Sequence, residues 1–492
     1  MLLLGIDLGT SSVKASVIDA LSGKCIASVQ YPEQEMPVYA PQPGWAEQQP
    51  EEWRDNVLQA ISELCACKNF NPEDIAAIGI AYQMHGLVMI DKNKNVLRPS
   101  IIWCDSRAVA YGEKAFNEIG KEKCLSHLLN SPGNFTASKL AWVKNNEPHI
   151  YEKLYKILLP GDYISMQLTG EVTTTSAALS EGMFWDFVSQ SVSEDVLTCF
   201  GFDKNIIPAV KPVFAEHGFL KNDVAEKTGL KAGIPVCYKA GDQPNNALSL
   251  NVMNPGEVAA TAGTSGVIYG VNDKLVYDDL LRVNSFAHVN HTAGSNSIGV
   301  LLCINGCGIM NRYVKDHFSK GLSYAQMNEQ AAAIKPGSEG MQVFPFGNGA
   351  ERMLNNKMPG AAIAGMDMNK HTNAHIYRAV QEGIAYAFRF GLDGMRGKNI
   401  HPSVIRAGKA NMFLSEVFLE CFVNITGVPV ELYETDGSAG AAAGAGIGAK
   451  IYTTAPEAFA GHKPLRYAEP VNGLMEEYYM QWKENLLNNF LK

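Results

Sequence analysis

Residues 2–19 of the chain spell LLLGIDLGTSSVKASVID. An apolar run ends at an aspartate, a turn of glycine and hydroxyl residues follows, and apolar and polar residues then alternate. Two such runs around a glycine-containing turn predict a β-hairpin. A second segment of this kind lies about 254 residues later, where residues 258–261 and 267–269 flank the turn AGTSG. Because repeat arrays have periods of roughly 20–50 residues, this spacing predicts two related domains instead.

Elements of alternating type fill the first half of the chain. Apolar residues at helical spacing predict a helix, and the apolar runs around it predict strands. The predicted elements after the first hairpin are a strand at 21–31, a helix at 51–65, and strands at 75–82 and 235–239. This alternation is typical of an α/β fold.

The turn Asn254-Pro255-Gly256 suits a connection between the halves, which predicts domains at residues 1–250 and 251–492. The second half contains helical patterns at 376–390 and 415–426, and a strand is predicted at 428–430. Residues 437–449 are mostly Ala and Gly. They imitate part of a dinucleotide fingerprint but lack its preceding strand and its spacing, so we favour a helix packed very closely against a neighbour.

Composition excludes several classes of protein. The 492 residues are 46% hydrophobic and carry 41 basic and 50 acidic residues, for a net charge of −9, which makes nucleic acid an unfavourable partner. The longest uncharged apolar stretch, at 439–449, is far shorter than the ~20 residues of a membrane span. The ten cysteines lack zinc or thioredoxin spacing, and the N-terminus lacks a signal-peptide pattern. We therefore expect a cytoplasmic protein with reduced thiols and no membrane partner.

The chain lacks the G-x-x-x-x-G-K-[ST] loop of Walker-type NTPases. It has instead two glycine- and hydroxyl-rich turns, whose backbone N–H groups can face a phosphate. One such turn alone is more often an ordinary hairpin turn. Two of them at equivalent places in the two halves favour phosphate binding.

Two aspartates follow apolar strands. Asp7 ends the first strand, where a buried carboxylate is costly unless a cation is near, so it is a candidate for a Mg²⁺-linked role. The alternative is a side chain that caps its own turn. Asp242 follows the strand 235–239, at the strand end where open α/β sheets bind ligands. It is a candidate general base for a substrate hydroxyl, and the alternative is a helix N-cap.

Four segments, taken in order, resemble the FGGY carbohydrate kinases: GIDLGTS at 5–11, QMHG at 83–86, GDQ at 241–243 and GTSG at 263–266. The match spans nearly the whole chain. Within the family, PGWAEQ at 43–48 and W-x-D-x-R at 103–107 resemble members that act on D-xylulose. The resemblance implies an α/β fold of two actin-like (ribonuclease H-like) ATPase domains flanking a catalytic cleft. The sugar would lie mainly on the N-terminal half and ATP on the C-terminal half.

The resemblance also implies roles for individual residues. Asp242 would be the general base, and Asp7 would be the carboxylate associated with Mg²⁺. The expected sugar contacts are Met84, His85, Trp103, Asp105, Asp242 and Gln243, with Arg107 as a further candidate. The expected nucleotide contacts are Thr10, Ser11, Ser12 and Lys14 on one side and Gly263, Thr264, Gly306, Gly408 and Asn411 on the other. A histidine after a buried strand more often satisfies a local hydrogen bond, so the assignment of His85 rests on its motif.

The implied reaction is phosphoryl transfer from ATP, with Mg²⁺, to the terminal hydroxyl of D-xylulose. Other ketoses, polyols and gluconate are alternative substrates, because one hydrogen bond in the pocket can decide between them. A switch ATPase of the actin or chaperone type is disfavoured by the absence of a peptide-binding domain. A non-catalytic sugar-binding regulator would lack one of the two aspartates. The loops 349–354 and 408–412 depart from the family pattern. A homodimer is the commonest oligomeric state by default.

Overall fold

The computed structural model of the protein describes residues 1–471 and 473–491. The strands of its first half are β1 Leu2–Leu8, β2 Val13–Asp19, β3 Cys25–Tyr31, β4 Glu47–Gln48, β5 Ile75–Tyr82, β6 Val88–Ile90, β7 Ser100–Ile101, β8 Lys156–Leu158, β9 Thr173–Thr175, β10 Trp185–Asp186, β11 Ser191–Val192, β12 Ala209–Lys211 and β13 Val236–Gly241. The helices of this half are α1 Pro50–Ala66, α2 Val109–Ile119, α3 Lys121–Lys123, α4 Thr136–Asn146, α5 Pro148–Tyr151, α6 Pro160–Thr169, α7 Ser176–Glu181, α8 Glu194–Phe200, α9 Asn222–Thr228 and α10 Asp242–Ser249.

The second half contains the remaining elements. Its strands are β14 Val258–Ala262, β15 Gly266–Asn272, β16 Asn284–Ala287, β17 Ile298–Ile304, β18 Gln342–Phe346, β19 Gly360–Ala364, β20 Ile405–Gly408, β21 Val430–Tyr433 and β22 Arg466–Ala468. Its helices are α11 Gly308–Phe318, α12 Tyr324–Ala332, α13 Asn373–Arg396, α14 Glu416–Thr426, α15 Gly437–Gly448 and α16 Glu476–Asn485.

The two main sheets share one topology. In the first, the order is β3-β2-β1-β5-β13, with β1, β2 and β3 antiparallel and β5 and β13 added in parallel. In the second, β17-β15-β14-β20-β21 repeat this arrangement, and β16 and β22 extend its edges. The repeated order confirms the internal duplication predicted from the two hairpins.

Several predicted elements differ from the structure at their ends. The strand predicted at 21–31 begins at Cys25, because Leu21 is exposed and the Asp19 N–H donates to the Lys24 carbonyl to close a turn. The strand predicted at 428–430 begins only at Val430. The helix predicted at 376–390 extends over Asn373–Arg396. The helices predicted at 51–65 and 415–426 end within one residue of α1 and α14.

The small-residue helix α15 belongs to the second half but packs on the sheet of the first. A Cβ atom on Gly5 of β1 would come within 1.8 Å of the Ser438 carbonyl oxygen. A Cβ on Gly79 of β5 would come within 1.9 Å of the Ala441 carbonyl oxygen. Helix and sheet therefore touch through their backbones, which confirms the close-packing interpretation of residues 437–449. The Asn245 amide of α10 donates to the Gly437 carbonyl at 2.8 Å, which joins the two helices.

Strand β16 makes the reverse contact, from the second half onto the first. The Asn130 side chain exchanges two hydrogen bonds with the Ser285 backbone, at 2.5 and 3.1 Å. The Ala287 N–H donates to the Ser180 hydroxyl at 2.9 Å. Each half thus contributes an element to the other.

An ion pair lies in the interior beneath the first sheet. Lys239 Nζ and Asp162 Oδ1 are 2.7 Å apart, and both side chains are 1% exposed. Lys239 also donates to the carbonyl and hydroxyl oxygens of Thr173, at 2.8 and 3.1 Å. Each buried charge is therefore compensated.

Among the described residues, no helix combines the length and apolar character needed to cross a bilayer.

Candidate active site

The first glycine- and hydroxyl-rich turn joins β1 to β2 and is held by its own backbone. The Gly9 N–H donates to the Ser12 carbonyl at 3.0 Å. The Thr10 hydroxyl accepts a hydrogen bond from the Trp103 indole N–H at 2.9 Å. Ser11 is exposed. The turn is therefore preformed, and Ser11 is accessible to a ligand.

Asp7 lies at the end of β1, against the first residue of α15. A Cβ atom on Gly437 would come within 2.0 Å of Asp7 Oδ2. Burial and the negative charge of Asp436 raise the pKa of Asp7 to about 6, and the charge of Lys14 opposes this rise. Within the described chain, no group donates a hydrogen bond to the Asp7 carboxylate. Asp7 is thus a partly compensated carboxylate that a cation would stabilise.

Lys14 is bound by a carboxylate from the second half. Its ammonium group forms an ion pair with Asp436. Asp436 caps the N-terminus of α15, where its Oδ1 accepts from the Ala439 N–H at 3.0 Å and from the Ser438 hydroxyl at 2.6 Å. The predicted phosphate contact Lys14 therefore stands at a helix N-terminus, beside Asp7.

Asp242 is the first residue of α10, directly after β13. Gly241 occupies the N-cap position, so the alternative role of Asp242 as an N-cap does not apply. Burial and the negative charge of Asp7 raise the pKa of Asp242 to about 7, and hydrogen bonding with Gln243 opposes this rise. The Met84 side chain packs on Gly241, where an added Cβ would come within 2.6 Å of Met84 Cγ. The charge of Asp7, at the end of β1, thus acts on Asp242 at the end of β13.

His85 follows Met84 in a left-handed backbone conformation, with a φ of 64°. Its Nδ1 lies 3.0 Å from the Glu181 carbonyl oxygen. Its ring packs against Phe135 of the first half and Phe286 of β16, with centroid separations of 4.8 and 5.3 Å. His85 therefore makes the local hydrogen bond that its position favours and also lies where the two halves meet.

The His85 imidazole is neutral at physiological pH. Burial lowers its pKa to about 3, and the positive charges of Lys139 and Arg352 contribute to this shift. Because the Glu181 carbonyl can only accept, the ring proton resides on Nδ1. The remaining nitrogen, Nε2, is an acceptor of the kind that a sugar hydroxyl needs.

Trp103 and Gln243 are both open to solvent. Trp103 is 54% exposed and stands beside the first turn, where it donates to Thr10. Gln243 is the second residue of α10 and is partly exposed. Neither side chain is therefore closed off from a ligand.

Asp105 and Arg107 lie in an internal network. Asp105 is buried, and its Oδ2 accepts from the Ala46 N–H at 2.6 Å and from Arg107 Nη2 at 2.7 Å. Arg107 also forms an ion pair with Glu47 at 2.7 Å and stacks over Trp45, 3.7 Å from the ring centroid. The hydrogen-bonding capacity of Asp105 is therefore used within the protein, in support of the segment that carries Trp45.

The second turn, between β14 and β15, borders a cavity of about 330 Å³. The Gly308 N–H donates to the Gly263 carbonyl at 2.9 Å, and the Ile309 N–H donates to the Thr264 carbonyl at 3.1 Å. The residues that line the cavity are Ala262, Gly263, Thr264, Gly308, Ile309, Asn311, Arg312, Tyr324, Asn328, Asn411, Met412, Leu414 and Ser415. This volume is in the range of small-molecule sites, and the turn opens directly into it.

Among the nucleotide contacts predicted in the second half, Gly263, Thr264 and Asn411 line this cavity, whereas Gly306 and Gly408 do not. The Gly306 N–H donates to Glu351 Oε1 at 3.0 Å, and a Cβ at this position would come within 1.5 Å of the Pro345 carbonyl oxygen. Gly306 therefore allows a close backbone approach, and its N–H is engaged. Gly408 ends β20, and its carbonyl accepts from the Ala410 N–H at 2.8 Å.

Sequence reasoning missed residues that reach the cleft from the second half. Asp436 carries a recognisable signal, because an aspartate before a helical segment is a typical N-cap. Phe286 and Arg352 carry no such local signal, because their relation to His85 exists only when the two halves are together. Glu351 also lacks a local signal, since its hydrogen-bond partners are about 45 residues away.

Comparison with known proteins defines the class. Residues 2–249 match the N-terminal domain and residues 258–449 match the C-terminal domain of the FGGY family of carbohydrate kinases. The chain therefore belongs to this family and is a carbohydrate kinase. Kinases of this family use ATP.

Three curated relatives that match most of this chain are xylulose kinases. The xylulose kinase of Bacillus subtilis is 29% identical over 417 residues, which cover 83% of this chain and 80% of the relative. The xylulose kinase of Lactococcus lactis is 30% identical over 396 residues, which cover 80% and 76%. The Escherichia coli xylulose kinase is 28% identical over 456 residues, which cover 91% and 89%.

Solved structures share the fold along the whole chain. Xylulose kinase from Rhodospirillum rubrum superimposes with a TM-score of 0.87 at 22% identity, covering 99% of this chain and 98% of that one. Plasmodium falciparum glycerol kinase with ADP also gives a TM-score of 0.87, at 18% identity, covering 100% and 98%. The fold is accordingly the two-domain, actin-like ATPase fold of FGGY sugar kinases, as predicted.

Proposed function

We propose that the protein transfers the γ-phosphoryl group of ATP to the terminal hydroxyl of D-xylulose, giving D-xylulose 5-phosphate and ADP. The observation that carries this proposal is Asp242 at the end of β13, where burial and the negative charge of Asp7 raise the pKa of its carboxyl group to about 7. The choice of sugar is supported by the curated relatives, which are xylulose kinases. Residues 1–250 would bind the sugar and residues 251–492 the nucleotide.

Asp242 acts as the general base in this proposal. Phosphoryl transfer needs alignment, charge stabilisation and removal of one proton from the attacking hydroxyl. A base works best when its pKa lies near the operating pH, and burial together with Asp7 brings Asp242 to about 7. The neutral His85 would accept a hydrogen bond from another hydroxyl group of the sugar and so orient the sugar in the site. Trp103 and Gln243 would line the same pocket, and Asp105 would support it from behind.

The residues around Asp7 fit a Mg²⁺ ion that is shared with the nucleotide. Among the described residues, no cluster of three or more His, Cys, Asp or Glu side chains could hold a metal. Mg²⁺ is often bound through one or two carboxylates together with substrate phosphates and water, and Asp7 offers such a carboxylate. When bound, Mg²⁺ would neutralise the charge that develops on the phosphoryl oxygens. Ser11, Ser12, Lys14, Gly263 and Thr264 would surround these phosphates from the two turns.

Gly437→Ala tests the placement of Asp7. The new methyl group would collide with Asp7 Oδ2, so the carboxylate has to move. Because displacements of about 1 Å can cost roughly 10²-fold in rate, we expect kcat to fall by roughly that factor, with a higher Mg²⁺ requirement. Gly394→Ala is the matched control, since a Cβ on this helical glycine meets nothing within 4 Å. Unchanged kcat and Mg²⁺ dependence in Gly437→Ala would contradict the assigned role.

A coupled ADP-release assay with Mg·ATP tests the proposed function directly. The panel contains D-xylulose, other ketoses, polyols and gluconate. Turnover that depends on D-xylulose supports the proposal, and turnover restricted to another sugar reassigns the substrate but keeps the mechanism. Slow hydrolysis without any dependence on sugar would point to a switch ATPase.

A further inference from the structure

We propose that the neighbouring residues Glu351 and Arg352 form a positioning pair that couples nucleotide binding at the second turn to sugar binding at His85. The proposal rests on the proposed function, because the nucleotide and the sugar are its two ligands. It extends that function by naming the residues through which bound nucleotide changes the affinity for the sugar.

Glu351 is the member of this pair that is connected to the second turn, where the nucleotide would bind. Its side chain is completely buried, and its two carboxylate oxygens accept from the backbone N–H groups of Asn305 and Gly306, at 3.1 and 3.0 Å. The side-chain amide of Asn305 donates to the Ala350 carbonyl at 2.7 Å. The side-chain amide of Asn348 donates to the Asn305 carbonyl at 3.2 Å. Four hydrogen bonds thus fix the loop around Glu351 to the segment after β17.

That segment is joined to the second glycine- and hydroxyl-rich turn by two backbone hydrogen bonds. Gly308 and Ile309 donate their backbone N–H groups to the carbonyls of Gly263 and Thr264. All four residues line the 330 Å³ cavity. A phosphate that shifts this turn therefore acts on Asn305 and Gly306, and through them on Glu351.

Arg352 provides the sugar side of the pair. Its guanidinium group donates to the side chain of Asn284, the first residue of β16. Two residues later, Phe286 packs on both His85 and Phe135. The positive charge of Arg352 is also one of the charges felt by the His85 imidazole. Arg352 thus braces the strand that carries Phe286.

The chemistry of Arg352 indicates a role beyond packing. In the part of the chain that the structure describes, no carboxylate forms an ion pair with this arginine, and burial lowers its pKa. A mostly buried guanidinium without a carboxylate partner carries a desolvation cost, which its hydrogen bond to Asn284 offsets only in part. Since Glu351 and Arg352 are consecutive, movement of the first shifts the second by a comparable amount. This short connection is what allows coupling between the two sites.

Arg352→Gln tests the coupling, because glutamine removes the charge but keeps an amide that can donate to Asn284. The dissociation constant of D-xylulose is measured by calorimetry with and without Mg·AMP-PNP. We expect the nucleotide to tighten sugar binding roughly 5-fold or more in the wild-type protein and less than about 2-fold in Arg352→Gln. Sugar affinity in the absence of nucleotide should change by less than about 3-fold. Asn284→Ala, which removes the contact from the other end, should reduce the coupling similarly.

Arg466→Gln is the matched control, since this arginine pairs with Glu416 at the surface and should retain full coupling. Wild-type coupling in Arg352→Gln would overturn the proposal, and so would full coupling in Asn284→Ala. An equal loss of sugar affinity with and without nucleotide would also overturn it, because that result would indicate that Arg352 contributes to sugar binding itself and not to the coupling. Absence of D-xylulose turnover in the wild-type protein defeats the proposed function, whereas turnover with unaltered coupling defeats this inference alone.

Discussion

Asp242→Asn is expected to lower kcat for D-xylulose phosphorylation by roughly 10²- to 10⁴-fold, the usual contribution of a general base. Asparagine has the same shape as aspartate but cannot accept the hydroxyl proton. KM for D-xylulose should change little, because the amide oxygen can still accept a hydrogen bond from the sugar. The measurement is steady-state ADP release with Mg·ATP, and retention of full activity would contradict the assignment.

The pH dependence provides a second test of Asp242. Because its pKa is raised to about 7, the carboxyl group becomes protonated and inactive as the pH falls through 7. The wild-type kcat/KM should therefore decline below about pH 7, and the residual activity of Asp242→Asn should lack the decline near pH 7 and keep only the one near pH 6 that belongs to Asp7. Asp223→Asn, at an exposed carboxylate on α9, is the control that should keep the wild-type rate and profile.

Lys239→Met is expected to lower the free energy of unfolding by about 3–5 kcal/mol, because it leaves the Asp162 carboxylate buried without its cation. The loss includes the hydrogen bonds from Lys239 to Thr173. The measurement is chemical or thermal unfolding at neutral pH, compared with the wild-type protein. The double variant Lys239→Met/Asp162→Leu should recover part of the loss, because no buried charge remains.

Lys204→Met is the matched control for Lys239→Met. Lys204 pairs with Glu194 at 2.5 Å, a distance close to that of the buried pair, but both side chains are more than half exposed. An exposed pair of this kind contributes no more than about 1 kcal/mol. Equal losses in the two lysine variants would show that burial of the Lys239–Asp162 pair is not the cause of its effect.

Local patterns were sufficient to predict the duplicated core of the fold. The strand at 75–82 and the hairpin turns after Asp7 and Ala262 depend on neighbouring residues, and the structure has them at the predicted places. The internal repeat then indicated that the second sheet would copy the first. The same reasoning placed Asp7 and Asp242 at strand ends, where the structure has them.

Contacts between the halves could not be predicted in this way. The Ala- and Gly-rich composition of α15 indicated close packing, but nothing in residues 437–449 specifies that the partner is β1 with its Gly5. The position of Phe286 against His85 likewise depends on how β16 meets the first half. The motif around Asp105 did not indicate that its carboxylate would accept hydrogen bonds from Arg107 and the Ala46 N–H. Pairings of this kind arise from tertiary structure and leave no local periodicity.

The packing of α15 on the first sheet also bears on synthesis of the chain. The sheet strands through β13 are complete at Gly241, whereas the helix that covers their inner face ends at Gly448. Its partners on that face include the buried side chains of Leu3 and Ala77. At about 5–20 residues per second, the ribosome needs roughly 10–40 s to add the intervening ~200 residues. During that interval an apolar surface of the nascent chain stays exposed, and it is a surface that chaperones would be expected to shield.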